Sequence, residues 1–201
     1  MTARRVRRDG IAVWILFFAG PFGALAFGAF AHPLGILDSD PEIRGRVEGW
    51  RPTAALAARE AGVPLDLLLA LVSAESSGRP RARSPSGAVG LTQVLTPTAR
   101  GVAVQLGLPA PAESDLYDPP LNLRLGAAYL AEQLRAFGGD PALALAAYHS
   151  GPGKPAAWRR ADPAADGLAL VRAKGTPRTR LYVERVLDRR AWFAEDPAAA
   201  R

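Results

Sequence analysis

Cysteine is absent from the 201 residues, so the chain can form neither a disulfide nor a thiolate metal site. Histidine is almost absent as well. His32 and His149 are the only two, no HExxH pattern surrounds either, and a histidine-based metal centre is excluded. No metal or other cofactor is expected. Period-two alternation of apolar and polar residues is also missing, which argues against a β-sheet domain and for a mainly α fold, with at most a small loop or hairpin near Ser84 to Gly90.

Acid is in deficit, giving a formal net charge of +6 that favours anionic partners such as phospholipid, acidic glycan or nucleic acid. The bases are mostly arginines scattered along an Ala/Pro/Gly-rich chain, with no nucleic-acid motif among them, so no nucleic-acid partner is expected. With 49% hydrophobic and 22% charged residues, the composition fits a soluble globular domain rather than a disordered or wholly membrane-embedded chain. The length suits one domain plus a terminal extension.

That extension is at the N-terminus. Arg4, Arg5, Arg7 and Arg8 precede an uncharged apolar run from Ile11 to Ala31. A basic flank and an apolar stretch of roughly 20 residues describe either a signal peptide or a single membrane-spanning helix. The run is long for a signal core and favours an inner-membrane anchor, whereas Ala29-Phe30-Ala31 is an acceptable cleavage site. Both readings export the globular part, as membrane-anchored or secreted protein. The expected organisation is a membrane-directed segment over 1–31, a linker over 32–46 and one helical domain over 47–201, with His32 given no function.

Proline, glycine and capping residues mark the helices. A first helix is expected over much of Val47 to Ala61, with Pro52 starting or interrupting it and Gly62 ending it. Pro64 then opens a helix that stops near Gly78. Thr96-Pro97 predicts a cap and a helix to about Leu106, Pro119 or Pro120 opens one reaching Phe137, and Asp140-Pro141 begins an all-apolar helix from Ala142 to His149. A polar connection is expected to about Pro177, and a last helix from Thr179 to about Phe193 puts Val183, Val186 and Leu187 on one face.

The helix opened by Pro64 carries a single acid in its last turns, Glu75. Leu68, Leu71, Val72 and Glu75 stand at i, i+3, i+4 and i+7, so the carboxyl shares the apolar face. Burial and the negative end of the helix dipole both disfavour its charge, and an acid still protonated near neutral pH can donate to a leaving oxygen. The alternative is an ordinary polar residue capped at a helix end.

Glu75-Ser76, Ser84, Gly87-Ala88, Gly90-Leu91, Gln93 and Thr98-Ala99 together resemble the signature of the soluble-lytic-transglycosylase family, a lysozyme-like fold that cleaves peptidoglycan. Tyr117-Asp118-Pro119 with Asn122 and Leu125-Gly126-Ala127 is similar to a further family series. Ala146-Ala147-Tyr148-His149-Ser150-Gly151-Pro152-Gly153 is similar to its Ala-Tyr-Asn-Ala-Gly-Pro-Gly stretch, and Thr179-Arg180-Leu181-Tyr182-Val183 to its closing motif. The chain departs from the family at Thr92, where Met is usual, at Thr96 for Pro, at His149 for Asn and at Arg178 for Glu.

The resemblance implies a single catalytic acid, Glu75, with a groove formed by Thr92, Gln93 and Tyr148. It implies that Ser84 and Gln93 bind sugar or backbone, that Tyr148 reaches Glu75 by a hydrogen bond, and that Tyr148 and Tyr182 orient the acid. His149 is a groove-edge or merely exposed residue, and Tyr148 alternatively a core tyrosine. The implied reaction cleaves between N-acetylmuramic acid and N-acetylglucosamine with 1,6-anhydro ends. A hydrolytic goose-type lysozyme and a non-catalytic peptidoglycan-binding module are the competitors. Glycan strands in the bacterial cell envelope, on the periplasmic side, are the implied partner, and family habit adds a secretion or conjugation apparatus.

Overall fold

Ser39 starts the first helix. Its backbone amide and hydroxyl both donate to Glu42, at 2.8 and 3.0 Å, and this reciprocal cap opens α1 (Asp40–Glu48). The computed structural model describes residues 39–194; the membrane-directed segment, His32 and the first part of the linker lie outside the described residues. The stretch Asp40–Glu48, read as the end of a linker and the start of one long helix, is a helix of its own, anchored by buried Ile43 and Val47. After Gly49 and Trp50 the chain enters α2 (Arg51–Ala61), where Pro52 lies in the first turn and gives up no intrahelical bond.

Pro64 caps α3 (Leu65–Ser76) rather than occupying its first turn. Leu67 through Val72 are all at most 1% exposed, so α3 is apolar on every side and runs through the core. It ends at Ser77 and Gly78, both left-handed with φ of 54° and 74°. Gly78 is required twice over, because a Cβ there would also press on Arg46 and Val47 at 3.1 Å.

A two-stranded antiparallel hairpin follows, β1 (Ala88–Val89) and β2 (Val94–Leu95), with Val89 opposite Val94. Its turn is Gly90 to Gln93, C-terminal to the region where a hairpin was expected. α4 (Thr96–Gln105) begins at Thr96 itself, with Leu95 as its cap residue and Pro97 in the first turn. A 3-10 turn at Glu113–Tyr117 leads to α5 (Pro119–Ala136), capped by Asp118, whose carboxylate accepts from the Leu121 amide at 3.1 Å. Asp140 caps α6 (Pro141–Ser150) in the same way at Leu143, 3.0 Å.

The expected polar connection contains two further helices, α7 (Gly153–Ala161) and α8 (Gly167–Lys174). Each is short and anchored by few apolar residues, Pro155 in α7 and Leu170 and Val171 in α8, and Asp166 caps α8 at the Ala169 amide. α9 (Pro177–Phe193) completes the described chain. Nine helices and one small hairpin thus make up the described residues, a mainly α domain in which no helix is long and apolar enough to cross a membrane.

The main core gathers α3, one face of α5, α6 and α9, including Leu123, Leu130, Leu143, Val183 and Val186. A smaller core of Val89, Val94, Val102, Ala103, Leu116 and Leu125 sits under the hairpin. α5 contributes to both, so it sets the position of the hairpin relative to α3. α9 lies along α3 and is tied to it by Arg190 on Asp66 at 2.8 Å and by Arg189 donating to the Ser73 carbonyl at 3.1 Å.

Candidate active site

Glu75 is in the last turn of α3, and its side chain is 4% exposed. Burial raises its carboxyl from 4.5 to about 8, and one hydrogen bond partly offsets that rise. The partner is Tyr182 on α9, whose hydroxyl donates to Oε1 at 2.7 Å. Burial and the adjacent Glu75 hold the Tyr182 phenol well above its usual range, so it is a donor at any working pH. A neutral carboxyl that accepts on Oε1 carries its proton on Oε2. Among the described residues Oε2 engages no protein group, and it is not one of the sealed-off polar atoms, so the proton-bearing oxygen is the one left to meet a ligand.

The helix dipole contributes less than the sequence implies. Arg46 donates through Nε to the Ser77 carbonyl and Trp50 through Nε1 to the Gly78 carbonyl, each at 2.9 Å, which engages groups at the negative end of α3.

Tyr148, on the last turns of α6, does not make the expected hydrogen bond to Glu75. Its hydroxyl donates to the Thr92 carbonyl at 3.0 Å, and its ring packs on Tyr129 with centroids 5.0 Å apart. The two tyrosines therefore divide the work: Tyr182 holds the acid and Tyr148 holds the hairpin turn against α6. Tyr148 still senses Glu75, which together with burial raises its phenol well above the ordinary value.

Thr92 does not line an open groove. It is fully buried, its amide donates to Asn122 Oδ1 at 2.9 Å, and its hydroxyl donates to the same oxygen at 2.8 Å. Asn122, itself fully buried, donates from Nδ2 to the Val89 and Leu116 carbonyls, each at 2.9 Å. One side chain thereby satisfies four backbone or hydroxyl groups that a tight turn leaves over. Gly90, at φ 80°, has to be glycine here, because a Cβ would fall on the Asn122 amide. Ser76 joins this turn to the acid's helix by donating to the Leu91 carbonyl at 2.8 Å. Sequence reasoning missed Ser76 as a brace, although its place beside Glu75 was a usable signal.

Ser84 is buried and accepts from the Ala88 amide at 3.0 Å while pairing with the Ser86 hydroxyl at 2.9 Å. It shapes the loop and is not presented to a sugar. Gln93 adopts φ 49° and uses Nε2 to tie the Ala82 and Gly90 carbonyls, at 3.1 and 2.9 Å, which leaves its Oε1 as an available acceptor. His149 is at the site, and more intimately than a groove edge: its ring stacks on Tyr182 with centroids 4.4 Å apart and 18° between planes. Burial, then the nearby Arg178 charge, lower its imidazole to about 4, so it is neutral near pH 7.

A separate cleft of about 500 Å³ lies among Phe137, Gly138, Asp140, Arg159, Asp166 and Leu168. It contains none of these residues, and its polar groups are already used: Arg159 pairs with Asp140 at 2.8 Å, and Asp140 and Asp166 cap α6 and α8. Glu75 and the groups around it lie outside this cleft.

The family of the transglycosylase SLT domain matches residues 53–170. The chain belongs to this family. It is similar to the soluble lytic murein transglycosylase of Escherichia coli strain K12, 31% identical over 133 residues that cover 65% of this chain and 21% of that protein. Among solved structures it is similar to an inactive mutant of the lytic transglycosylase Slt from Pseudomonas aeruginosa, at 33% identity and a TM-score of 0.65 over 70% of this chain and 23% of that one. It is also similar to the 70-kDa soluble lytic transglycosylase from Escherichia coli, at 28% identity and a TM-score of 0.68, over 72% and 24% of the two chains. The chain thus spans about a fifth to a quarter of the length of these relatives. Within the SLT-domain match lie Glu75, the Asn122-braced turn, Tyr148 and His149; Tyr182, the group that holds the acid, lies beyond it.

Proposed function

We propose that this SLT-domain chain is a peptidoglycan lytic transglycosylase, cleaving between N-acetylmuramic acid and N-acetylglucosamine with Glu75 as its single acid and base. The observation that carries the reading is the Glu75 carboxyl, kept protonated to about pH 8 by burial and held through Oε1 by Tyr182. Support also comes from the relatives, one named a lytic murein transglycosylase and another described as inactive with one glutamate replaced by glutamine.

Oε2 gives its proton to the glycosidic oxygen as the bond to the muramic C1 breaks. Positive charge at C1 is met by the substrate's own acetamido oxygen. The Glu75 carboxylate then takes the proton of the muramic C6 hydroxyl while that oxygen closes on C1, so the acid is restored and no water is consumed. Tyr182 donates to Oε1 throughout and stabilises the carboxylate between the two transfers. Ordinary glycosidases flank the bond with two carboxyls. In this reading Glu75 alone serves both transfers, held by the Tyr182 hydroxyl.

Gln93 Oε1 and the Tyr148 ring are the proposed substrate contacts, and Ser84 and Thr92 act only through the shape of the turn. The helical domain, which includes α1 ahead of its expected start, is preceded in this reading by a segment that directs it to the membrane and places it in the cell envelope; a secretion or conjugation apparatus remains the proposed setting. Mass spectrometry of peptidoglycan digested by the full chain tests the function. Muropeptides lighter by one water than lysozyme products are expected; reducing ends would make it a lysozyme, and no release a binding module.

A further inference from the structure

We propose that His149 is a positioning residue for the acid, its ring stacked on Tyr182 so as to fix the phenol that donates to Glu75. The inference rests on the acid reading of Glu75 given above. His149 comes from the end of α6 and Tyr182 from the second turn of α9, and these two helices pack directly on each other. The rings are close to parallel, 18° apart at 4.4 Å, so the imidazole lies stacked against one face of the phenol. A tyrosine hydroxyl sweeps an arc when its ring rocks; a covered face removes that freedom and keeps the 2.7 Å contact to Oε1 in line.

Neutrality is part of the device. A protonated imidazole beside the phenol that holds the acid would favour the Glu75 carboxylate, but burial and the Arg178 charge both disfavour protonation of His149. Several charged groups on the helices packed against α3 are directed elsewhere. Arg189 and Arg190 on α9 hold the Ser73 carbonyl and Asp66, Arg46 on α1 holds the Ser77 carbonyl, and on α2 Arg51 pairs with Glu48 and Glu60 with Arg124. Tyr148 is the second phenol near the carboxyl, and its hydroxyl is spent on Thr92. Asparagine, usual in the family at this position, has no ring to stack, so the clamp is a property of this chain.

The test uses the full-length chain with His149→Phe, His149→Asn and His149→Ala. Glu75 is titrated directly by the carboxyl carbon resonance of 13C-glutamate, and peptidoglycan turnover is followed against pH. Phe restores the stack without ring nitrogens, so it should leave the Glu75 titration in place and keep kcat within about twofold. Asn and Ala uncover the phenol and loosen the Tyr182 donor that holds the carboxyl down, so the titration should move up and kcat should fall by about tenfold, with KM within about threefold. An Ala variant that titrates and turns over like the parent would overturn the proposal. So would a Phe variant as impaired as Ala with Glu75 unmoved, which would make His149 a direct sugar ligand through its nitrogens. If Ala does not fold, Asn and Phe carry the same comparison. If the parent digests no peptidoglycan, the enzyme reading fails on its own, and the titrations alone still decide the clamp.

Discussion

Replacing Glu75 with glutamine removes a proton site from the interior while keeping the size of the side chain and the oxygen that Tyr182 donates to. In the parent the carboxyl is raised from 4.5 to about 8. Between those values the folded chain holds a proton that the unfolded chain has released, so stability must fall as pH rises across that window. The contribution is complete below the unfolded value and is lost as pH passes through about 8. At about 1.36 kcal/mol per pH unit the whole loss is bounded at roughly 5 kcal/mol. That is as large as the total stability of many domains of this size.

The glutamine variant has nothing to ionise. Its stability advantage over the parent should therefore grow from near zero around pH 4.5 toward that bound above pH 8. Urea unfolding of both chains near pH 5, 7 and 9 measures the difference, and every other titrating group cancels because the two chains share it. A difference that stays constant with pH would mean that Glu75 titrates like a surface glutamate. The buried-acid argument would then be wrong, whatever the chain does to a glycan. In the same pair, turnover by the parent should decline on the alkaline side near pH 8, and the glutamine variant should lose on the order of 10²–10⁴-fold or more.

Tyr182→Phe deletes the donor to Oε1, which in the parent holds the Glu75 carboxyl down, so its titration should move higher still and kcat should fall by about tenfold, read from the pH–rate profile. Asn122→Ala strips four hydrogen bonds from the buried turn and should cost about 3–5 kcal/mol in urea unfolding. A loss under about 1 kcal/mol would show that the turn holds its shape without that side chain.

What was legible in the chain is what is local. Asp118 before Pro119-Pro120 and Asp140 before Pro141 announce α5 and α6, because cap and first-turn proline act within four residues. Glu75 was legible for the same reason, from its spacing to Leu68, Leu71 and Val72. α7 and α8 escaped because each buries too few residues to leave a stripe, although Asp166 ahead of Gly167 was a readable cap. Thr92 was misplaced in the groove because its partner is Asn122, 30 residues away, and no periodicity reports such a pairing. Tyr148 was expected to reach Glu75 and does not, whereas Tyr182, expected beside it as an orienting group, does. Which phenol reaches Glu75 depends on how α6 and α9 are set against α3, a relation among helices that are distant in sequence.

A chain with more bases than acids has to keep cations from its one useful proton. Several arginines on the helices packed against α3 are committed to other acceptors. Arg190 pairs with Asp66, Arg189 with the Ser73 carbonyl and Asp40, and Arg46 with the Ser77 carbonyl at the helix end. These contacts fasten α9 and α1 to α3 or to each other, so the packing that closes the core around Glu75 is the packing that directs positive charge away from it. Burial then acts on the carboxyl almost unopposed, with only the neutral Tyr182 donor against it. Acidity near neutrality here follows from where the arginines are engaged as much as from the apolar residues around the acid.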